Sequence, residues 1–131
     1  MKKTGLLNQP LSEVIAGMGH FDTLVIADAG LPVPPATRRI DLAVSAGVPP
    51  FLDVVHAVLG EMQVQSAIVA REMASRSPET YAALRLLLGE TPVELVAHDE
   101  FKAQTAQARA VARTGEFTPY ANVILVAGVV F

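Results

Sequence analysis

The sequence predicts an α/β protein with three α/β/α layers around a mostly parallel, mixed six-stranded sheet, in a single domain covering residues 1–131. Two observations lead to this prediction. Short, almost continuously apolar segments alternate with amphipathic helical segments, a pattern typical of sheets that are covered on both faces. The length of 131 residues suits one domain, and no repeat, low-complexity tract or linker divides the chain.

The first half of the chain predicts two helices and two strands. Apolar residues at i, i+3, i+4 and i+7 predict the helices, with Pro10 in a first helical turn and Gly19 as a stop. Short β-rich runs predict the strands, and three prolines with a glycine predict the loop between them. The predicted elements are a helix over 10–18, a strand over 23–27, a loop over 28–35, a strand over 39–44 and a helix over 51–62.

The second half predicts four strands and two helices. Ser77 and Pro78 suit an N-cap and a first helical position, and Gly89 ends that helix. The predicted elements are strands over 66–70, 92–97, 110–113 and 122–131, with helices over 77–88 and 98–106. The short connection before the last strand permits one antiparallel strand, because parallel neighbours need a longer crossover.

The composition argues against several classes of function. The net charge is −3 and no basic run occurs, which argues against a nucleic-acid partner. The absence of cysteine excludes disulfides, thiolate nucleophiles and Cys-ligated zinc. No apolar stretch reaches the roughly 20 residues of a membrane span, and Asn8 interrupts the first one, so we expect no signal peptide and no membrane. We therefore expect a cytoplasmic protein.

The apolar content is high for a small monomer. Hydrophobic residues make up 51% of the chain and charged residues only 18%, with a mean hydropathy of +0.39. A chain of this size has much surface to cover, so we interpret the excess as buried subunit interface. The composition predicts an oligomer but not its size.

Histidine and aspartate at the ends of predicted elements are the first candidates for chemistry. His20 follows a helix end, whereas Asp28 and His98 each follow a strand, where open α/β sheets bind ligands. If the two strands are parallel, Asp28 and His98 share one edge of the sheet, although Asp28 could equally cap a turn. His56 lies within a helical stripe and is interpreted as an ordinary helix residue.

A compact polar loop over 118–122 carries a hydroxyl, a phenol and an amide. These groups suit hydrogen bonding to a sugar, but the loop could equally be a plain turn. Glu116 and Lys102 are secondary candidates for contact with a ligand. The chain has no Walker loop, no G-x-G-x-x-G after a strand, no H-E-x-x-H and no nucleophile elbow. The remaining chemistry is acid–base work by imidazole and carboxylate, without a cofactor or a metal.

Several stretches together resemble the D-ribose pyranase family. No single stretch is specific, but their combination is, and the resemblance covers essentially the whole chain. The matching stretches are Gly19-His20 with Asp22, Ile26–Pro34, Arg39–Asp41, Glu61–Val64, His98–Lys102, Arg113–Asn122 and Ala127–Phe131.

The resemblance implies a cytoplasmic enzyme that interconverts the β-pyranose and β-furanose forms of D-ribose. It also implies a ring-like homo-oligomer, a homodecamer of two stacked pentamers. It assigns the proton donor to His20 and substrate binding to Asp28, His98, Tyr120, Ala121 and Asn122. Three alternatives stay open: a mutarotase for another monosaccharide such as L-fucose, a non-catalytic sugar-binding accessory of ribose transport, and a purely structural ring protein without a ligand.

The predicted first strand separates two of these residues. His20 precedes the strand and Asp28 follows it, and five extended residues span roughly 17 Å, far more than a ribose. Unless the loops curl back, His20 and Asp28 contact one sugar only when different subunits supply them, so we predict an active site between subunits. Tyr120–Asn122 join the His20 edge if the last strand is parallel to the first, and the Asp28 edge if it is antiparallel.

Overall fold

The computed structural model describes residues 1–131. It contains six β-strands, five α-helices and a 3₁₀ turn at Thr105–Gln107. The strands are β1 (Thr23–Ala27), β2 (Arg39–Asp41), β3 (Val64–Ala70), β4 (Val93–Val96), β5 (Ala110–Arg113) and β6 (Val123–Ala127). The helices are α1 (Gln9–Gly17), α2 (Phe51–Leu59), α3 (Arg71–Arg76), α4 (Pro78–Leu88) and α5 (His98–Gln104). None of these helices has the length and apolar character needed to cross a bilayer.

The strands form one mixed sheet in the order β2-β5-β1-β6-β3-β4. β5 pairs in parallel with both β1 and β2, and β3 pairs in parallel with β4. β6 is antiparallel to both of its neighbours, β1 and β3. Five strands therefore point the same way and one runs against them, so the prediction of a mostly parallel, mixed six-stranded sheet is confirmed.

Helices cover both faces of the sheet, although unequally. The larger core lies between the sheet and α1, α2 and α4, with Leu11, Phe51 and Leu84 fully buried in it. The smaller core lies on the opposite face, where Phe101 of α5 and Leu31 pack on the strands. The three-layer α/β/α prediction is confirmed, with the second helical layer much thinner than the first.

Two strands end several residues earlier than predicted. The second strand ends at Asp41 rather than Val44, because the Asp41 carboxylate accepts the N–H of Ala43 and turns the chain. The last strand ends at Ala127 rather than Phe131, because its neighbours β1 and β3 begin opposite Val126 and Ala127 and offer no strand to pair with beyond them. The apolar residues of a strand do not show how far its neighbours extend. The predicted ends of β2 and β6 are therefore wrong.

The apolar pattern of the chain does not predict α3. This helix of six residues begins directly after β3, without a capping side chain of its own, and only Met73 within it is buried. Six residues are too few to show a helical period in the apolar pattern. α3 matters because it lies at the edge of the sheet where the strands β1, β3 and β4 end.

Candidate functional site

The carboxyl ends of the parallel strands border an open cavity of about 410 Å³. Sites for small molecules typically measure about 300–1,000 Å³. Three predicted residues line it: Asp28 after β1, His98 after β4 and Tyr120 before β6. Tyr120 reaches this edge because β6 is antiparallel, which places its start beside the end of β1. The other lining residues are Gly30, Leu31, Pro32, Arg76 and Pro119.

Asp28 is held by a reciprocal pair of hydrogen bonds with Asn122. The backbone N–H of Asp28 donates to Asn122 Oδ1 at 2.8 Å, and Asn122 Nδ2 donates to Asp28 Oδ2 at 2.9 Å. The N–H of Gly30 donates to Asp28 Oδ1 at 2.9 Å. Asn122 is fully buried, so its amide orients the carboxylate. Each carboxylate oxygen keeps a lone pair with which it can accept a ligand hydroxyl.

The His98 ring is set between two aromatic side chains. The Tyr120 ring meets it edge-on, with centroids 5.0 Å apart and planes at 90°, while Phe101 lies nearly parallel to it at 6.3 Å. His98 Nδ1 is buried and has no hydrogen-bond partner. Nε2 is therefore the ring nitrogen left to contact a ligand in the cavity.

The loop before β6 is tightly bonded to itself. Tyr120 has a left-handed backbone with φ of 62°, and its carbonyl accepts the N–H of Asn122 at 2.8 Å. Ala121 is fully buried and its N–H donates to the Thr118 carbonyl at 3.3 Å. No atom of Ala121 is therefore open to a ligand in the single chain, and Ala121 does not line the cavity.

Glu116 fastens this loop to the rest of the protein. Its Oε1 accepts both the N–H and the hydroxyl of Thr118, at 3.1 and 2.7 Å, and its Oε2 accepts the N–H of Phe51 at 3.0 Å. Its backbone carbonyl accepts the N–H of Ala29 at 2.8 Å. One residue thus joins the Tyr120 loop, the start of α2 and the segment after Asp28.

We expect the Glu116→Gln variant to lose part of the pH dependence of stability. Burial raises the pKa of Glu116, but hydrogen bonds from Thr118, Phe51 and Phe117 outweigh it and hold the pKa below its ordinary value of 4.5. The ionised carboxylate therefore stabilises the folded chain above pH 4.5, and this contribution disappears as the pH falls below 4.5 through the folded-state value. Urea unfolding at a series of pH values measures the effect.

The control for this variant is Glu90→Gln, which alters an exposed glutamate beyond the end of α4. We expect the free energy of unfolding of Glu90→Gln to follow that of the unmodified chain across the acid range, whereas that of Glu116→Gln falls less steeply. Equal acid profiles in all three proteins would show that the Glu116 carboxylate does not carry this stability.

His20 lies at the opposite edge of the sheet. It precedes β1, is exposed, and its Nε2 lies 2.7 Å from Gln65 Oε1. Its ring stacks on Phe21, with centroids 3.8 Å apart and planes at 17°. The backbone of Phe21 is left-handed, with φ of 69°, and its N–H donates to Ala127 at the end of β6. The turn thus presents the imidazole to solvent, away from the cavity.

Comparison with known proteins decides the family. Residues 1–130 match the RbsD / FucU transport protein family. The chain belongs to this family. Among its relatives, proteins named D-ribose pyranase from Chloroflexus aggregans and Symbiobacterium thermophilum are 60% and 61% identical to it, each over the full length of both chains.

Solved structures within the family agree with the fold. The structure of Bacillus subtilis RbsD complexed with D-ribose matches with a TM-score of 0.97 and 48% identity over 100% of both chains. A fucose mutarotase from Streptococcus pneumoniae, in complex with L-fucose, matches with a TM-score of 0.82 over 95% of both chains. The second pair is only 24% identical, so it supports the shared RbsD / FucU fold and nothing further.

The predicted shared edge of Asp28 and His98 is confirmed, and the open question about Tyr120–Asn122 is answered in favour of the Asp28 edge. His56 lies exposed on α2, and Lys102 pairs with Asp99 at 2.9 Å. Arg76, which was not predicted from the sequence, lines the cavity from α3. Its only signal was a polar segment directly after a buried strand.

Proposed function

We propose that this chain interconverts the β-pyranose and β-furanose forms of D-ribose by general acid–base opening and closure of the ring, without a cofactor or metal. One observation carries the proposal. Asp28, His98 and Tyr120 line one cavity in a chain that matches, with a TM-score of 0.97, a family member whose structure was determined with D-ribose. The relatives named D-ribose pyranase, at 60% and 61% identity, support the same assignment.

The reaction needs only proton transfers. In the pyranose, the bond between C1 and the ring oxygen breaks, the ring oxygen takes up a proton, and the anomeric hydroxyl loses one to become an aldehyde. The C4 hydroxyl then attacks C1 and loses its proton, while the aldehyde oxygen gains one. No electron is exchanged with another molecule, so positioned acids and bases suffice.

We assign the proton transfer to His20 and sugar binding to the five residues at the opposite edge. Histidine as a residue type titrates near pH 6.5, so it can both give and take a proton at neutral pH. Asp28 accepts hydrogen bonds from sugar hydroxyls, and His98 and Tyr120 contact the sugar from the facing wall. Asn122 orients Asp28, and Ala121 supports the loop that presents Tyr120.

This assignment requires two copies of the chain at one site. His20 and Asp28 lie beyond opposite ends of β1, whose five residues span roughly 17 Å. The His20 ring is exposed and is held by Gln65 rather than by any cavity residue. We infer that His20 of one subunit completes the cavity of the next.

Exposed apolar side chains support such an arrangement. Phe21 beside His20 is 66% exposed, and Phe117 beside the cavity is 71% exposed. Val44 lies near Phe117 and is exposed, as is Val130. Different patches that meet head to tail generate a closed ring when the rotation between copies closes, and we propose a ring-like homo-oligomer of the decameric kind that the sequence resemblance implies. We place it in the reducing cytoplasm, which suits a chain without cysteine.

NMR saturation transfer between the ring forms of D-ribose tests the proposed function. We expect the protein to accelerate exchange between β-pyranose and β-furanose ribose, and to act less on L-fucose. Preferred exchange of L-fucose anomers would instead identify a fucose mutarotase. Binding of ribose without faster exchange would identify a non-catalytic sugar-binding protein and contradict the proposal.

A further inference from the structure

Glu72 and His98 occupy equivalent positions on two neighbouring strands. β3 and β4 are parallel, and Ala70 at the end of β3 pairs with Val96 at the end of β4. Each strand leads almost directly into a helix, β3 into α3 and β4 into α5. Glu72 and His98 each follow their paired residue by two positions, so the first turns of the two helices lie side by side at the cavity edge.

The Glu72 side chain caps the start of α5. The N-cap residue of this helix is Ala97, which has no side chain able to accept a hydrogen bond. Glu72 Oε2 instead accepts the backbone N–H of His98 at 3.0 Å. The first N–H groups of a helix lack partners within it, and a carboxylate there is favoured by the helix dipole.

The Glu72 carboxylate is ionised at neutral pH. The backbone N–H of Glu72 itself lowers the pKa of the carboxyl most, burial opposes this effect, and the His98 N–H lowers it further, so the pKa lies below 4.5. The hydrogen bond to His98 is therefore charge-assisted, a class that is shorter and stronger than neutral hydrogen bonds.

No side-chain hydrogen bond holds the His98 ring. Nδ1 has no partner, and the ring lies beside the aromatic side chains of Tyr120 and Phe101. The bond at its own backbone N–H is thus the hydrogen bond to a neighbouring side chain that holds the residue carrying the imidazole in place. α5 has only seven residues, so it gives this anchor little support from its own length.

We propose that Glu72 is a positioning residue for the ring interconversion. Its bond to the His98 N–H holds the start of α5 against α3 and keeps the imidazole beside Tyr120 in the cavity wall. The effect on catalysis rests on the proposed function, because His98 is there a sugar-binding residue. Loss of the anchor lowers affinity for ribose more than it slows the bound sugar's ring opening.

Three variants test this role in the full chain. Glu72→Ala removes the acceptor, Glu72→Gln retains an oxygen at the same reach, and Glu100→Ala alters an exposed glutamate in the first turn of α5. In the NMR exchange assay we expect Glu72→Ala to raise KM about tenfold, because one charge-assisted hydrogen bond is lost. We expect its kcat to stay within about threefold of that of the unmodified chain. We expect Glu72→Gln to restore KM to within about threefold and Glu100→Ala to leave it unchanged.

A second measurement does not depend on activity. NOEs between the His98 and Tyr120 ring protons report whether the rings stay in contact. We expect these NOEs in the unmodified chain, Glu72→Gln and Glu100→Ala, and their loss in Glu72→Ala. Retained NOEs and an unchanged KM in Glu72→Ala would overturn the inference, as would a KM equally raised in the Ala and Gln variants. Absence of ribose exchange in the unmodified chain would overturn the proposed function, while the NOEs would still decide the position of His98.

Discussion

Replacing His20 by Ala should slow the protein-catalysed exchange between β-pyranose and β-furanose ribose by about 10²–10⁴-fold, the usual contribution of a positioned acid–base group. In the proposed reaction His20 supplies the proton to the ring oxygen, and water is a poorer and unpositioned substitute. NMR saturation transfer, corrected for the uncatalysed exchange, measures the effect. Because the His20 ring is exposed in the single chain, we expect the thermal midpoint to change little.

Two further variants isolate proton transfer from other effects. His20→Gln retains a polar side chain beside Gln65 but cannot exchange protons near neutral pH, so we expect it to be as slow as His20→Ala. His56→Ala removes an exposed imidazole on α2 and should leave the exchange rate unchanged. Near-normal exchange in His20→Ala, or an equal loss in His56→Ala, would remove His20 from the mechanism.

The order and type of most elements could be predicted because their signals are local. β1 is a continuous β-rich run whose last four residues are all buried, and α2 shows a long apolar stripe with Phe51, Val54, Val55 and Val58 buried. The end of β6 depends instead on its hydrogen bonds with β1 and β3, which stop where those strands begin, and the end of β2 depends on the bond between Asp41 and Ala43. Such bonds leave no trace in the apolar pattern of the strand itself.

Only those site residues that directly follow a strand could be predicted from the sequence. Asp28 and His98 each follow a strand, and parallel strands bring such residues to one edge. Glu72 and Glu116 act differently, since each caps a helix that lacks a capping side chain of its own, α5 and α2. Their partners lie 26 and 65 residues away in the sequence. Only the order of the strands in the sheet brings these groups together.

The position of His20 is the strongest argument for a site shared between subunits. Within one chain, the hydrogen bonds around His20 lead to Gln65 and Ala127, at the edge where β3 begins and β6 ends. The bonds around Asp28 lead to Gly30 and Asn122, at the other edge. A reaction that needs both side chains therefore needs either a large rearrangement of one chain or the approach of a second.

Mixing two inactive variants distinguishes these possibilities. We expect His20→Ala and Asp28→Asn each to be nearly inactive, the second because it loses the carboxylate charge while keeping an oxygen to accept Asn122 Nδ2. After subunit exchange at equal concentration, a shared site is intact when an unmodified His20 meets an unmodified Asp28. The subunit that supplies His20 is unmodified there with a chance of one half, and so is the subunit that supplies Asp28. About a quarter of the activity therefore returns if copies associate head to tail. Sites within single chains would recover none.

Diluting the unmodified chain with the double variant His20→Ala/Asp28→Asn provides the opposite test. A shared site then needs two unmodified neighbours, so at equal concentration about a quarter of the sites remain active, whereas sites within single chains would keep about half. Mass spectrometry of mixed oligomers with one isotope-labelled partner verifies that subunits have exchanged. A quarter in both mixtures is expected from a cavity that one chain lines with Asp28 and its neighbour completes with His20. No recovery in the first mixture and half in the second, with exchange verified, would place both residues in one chain and require the turn at His20 to move across the length of β1.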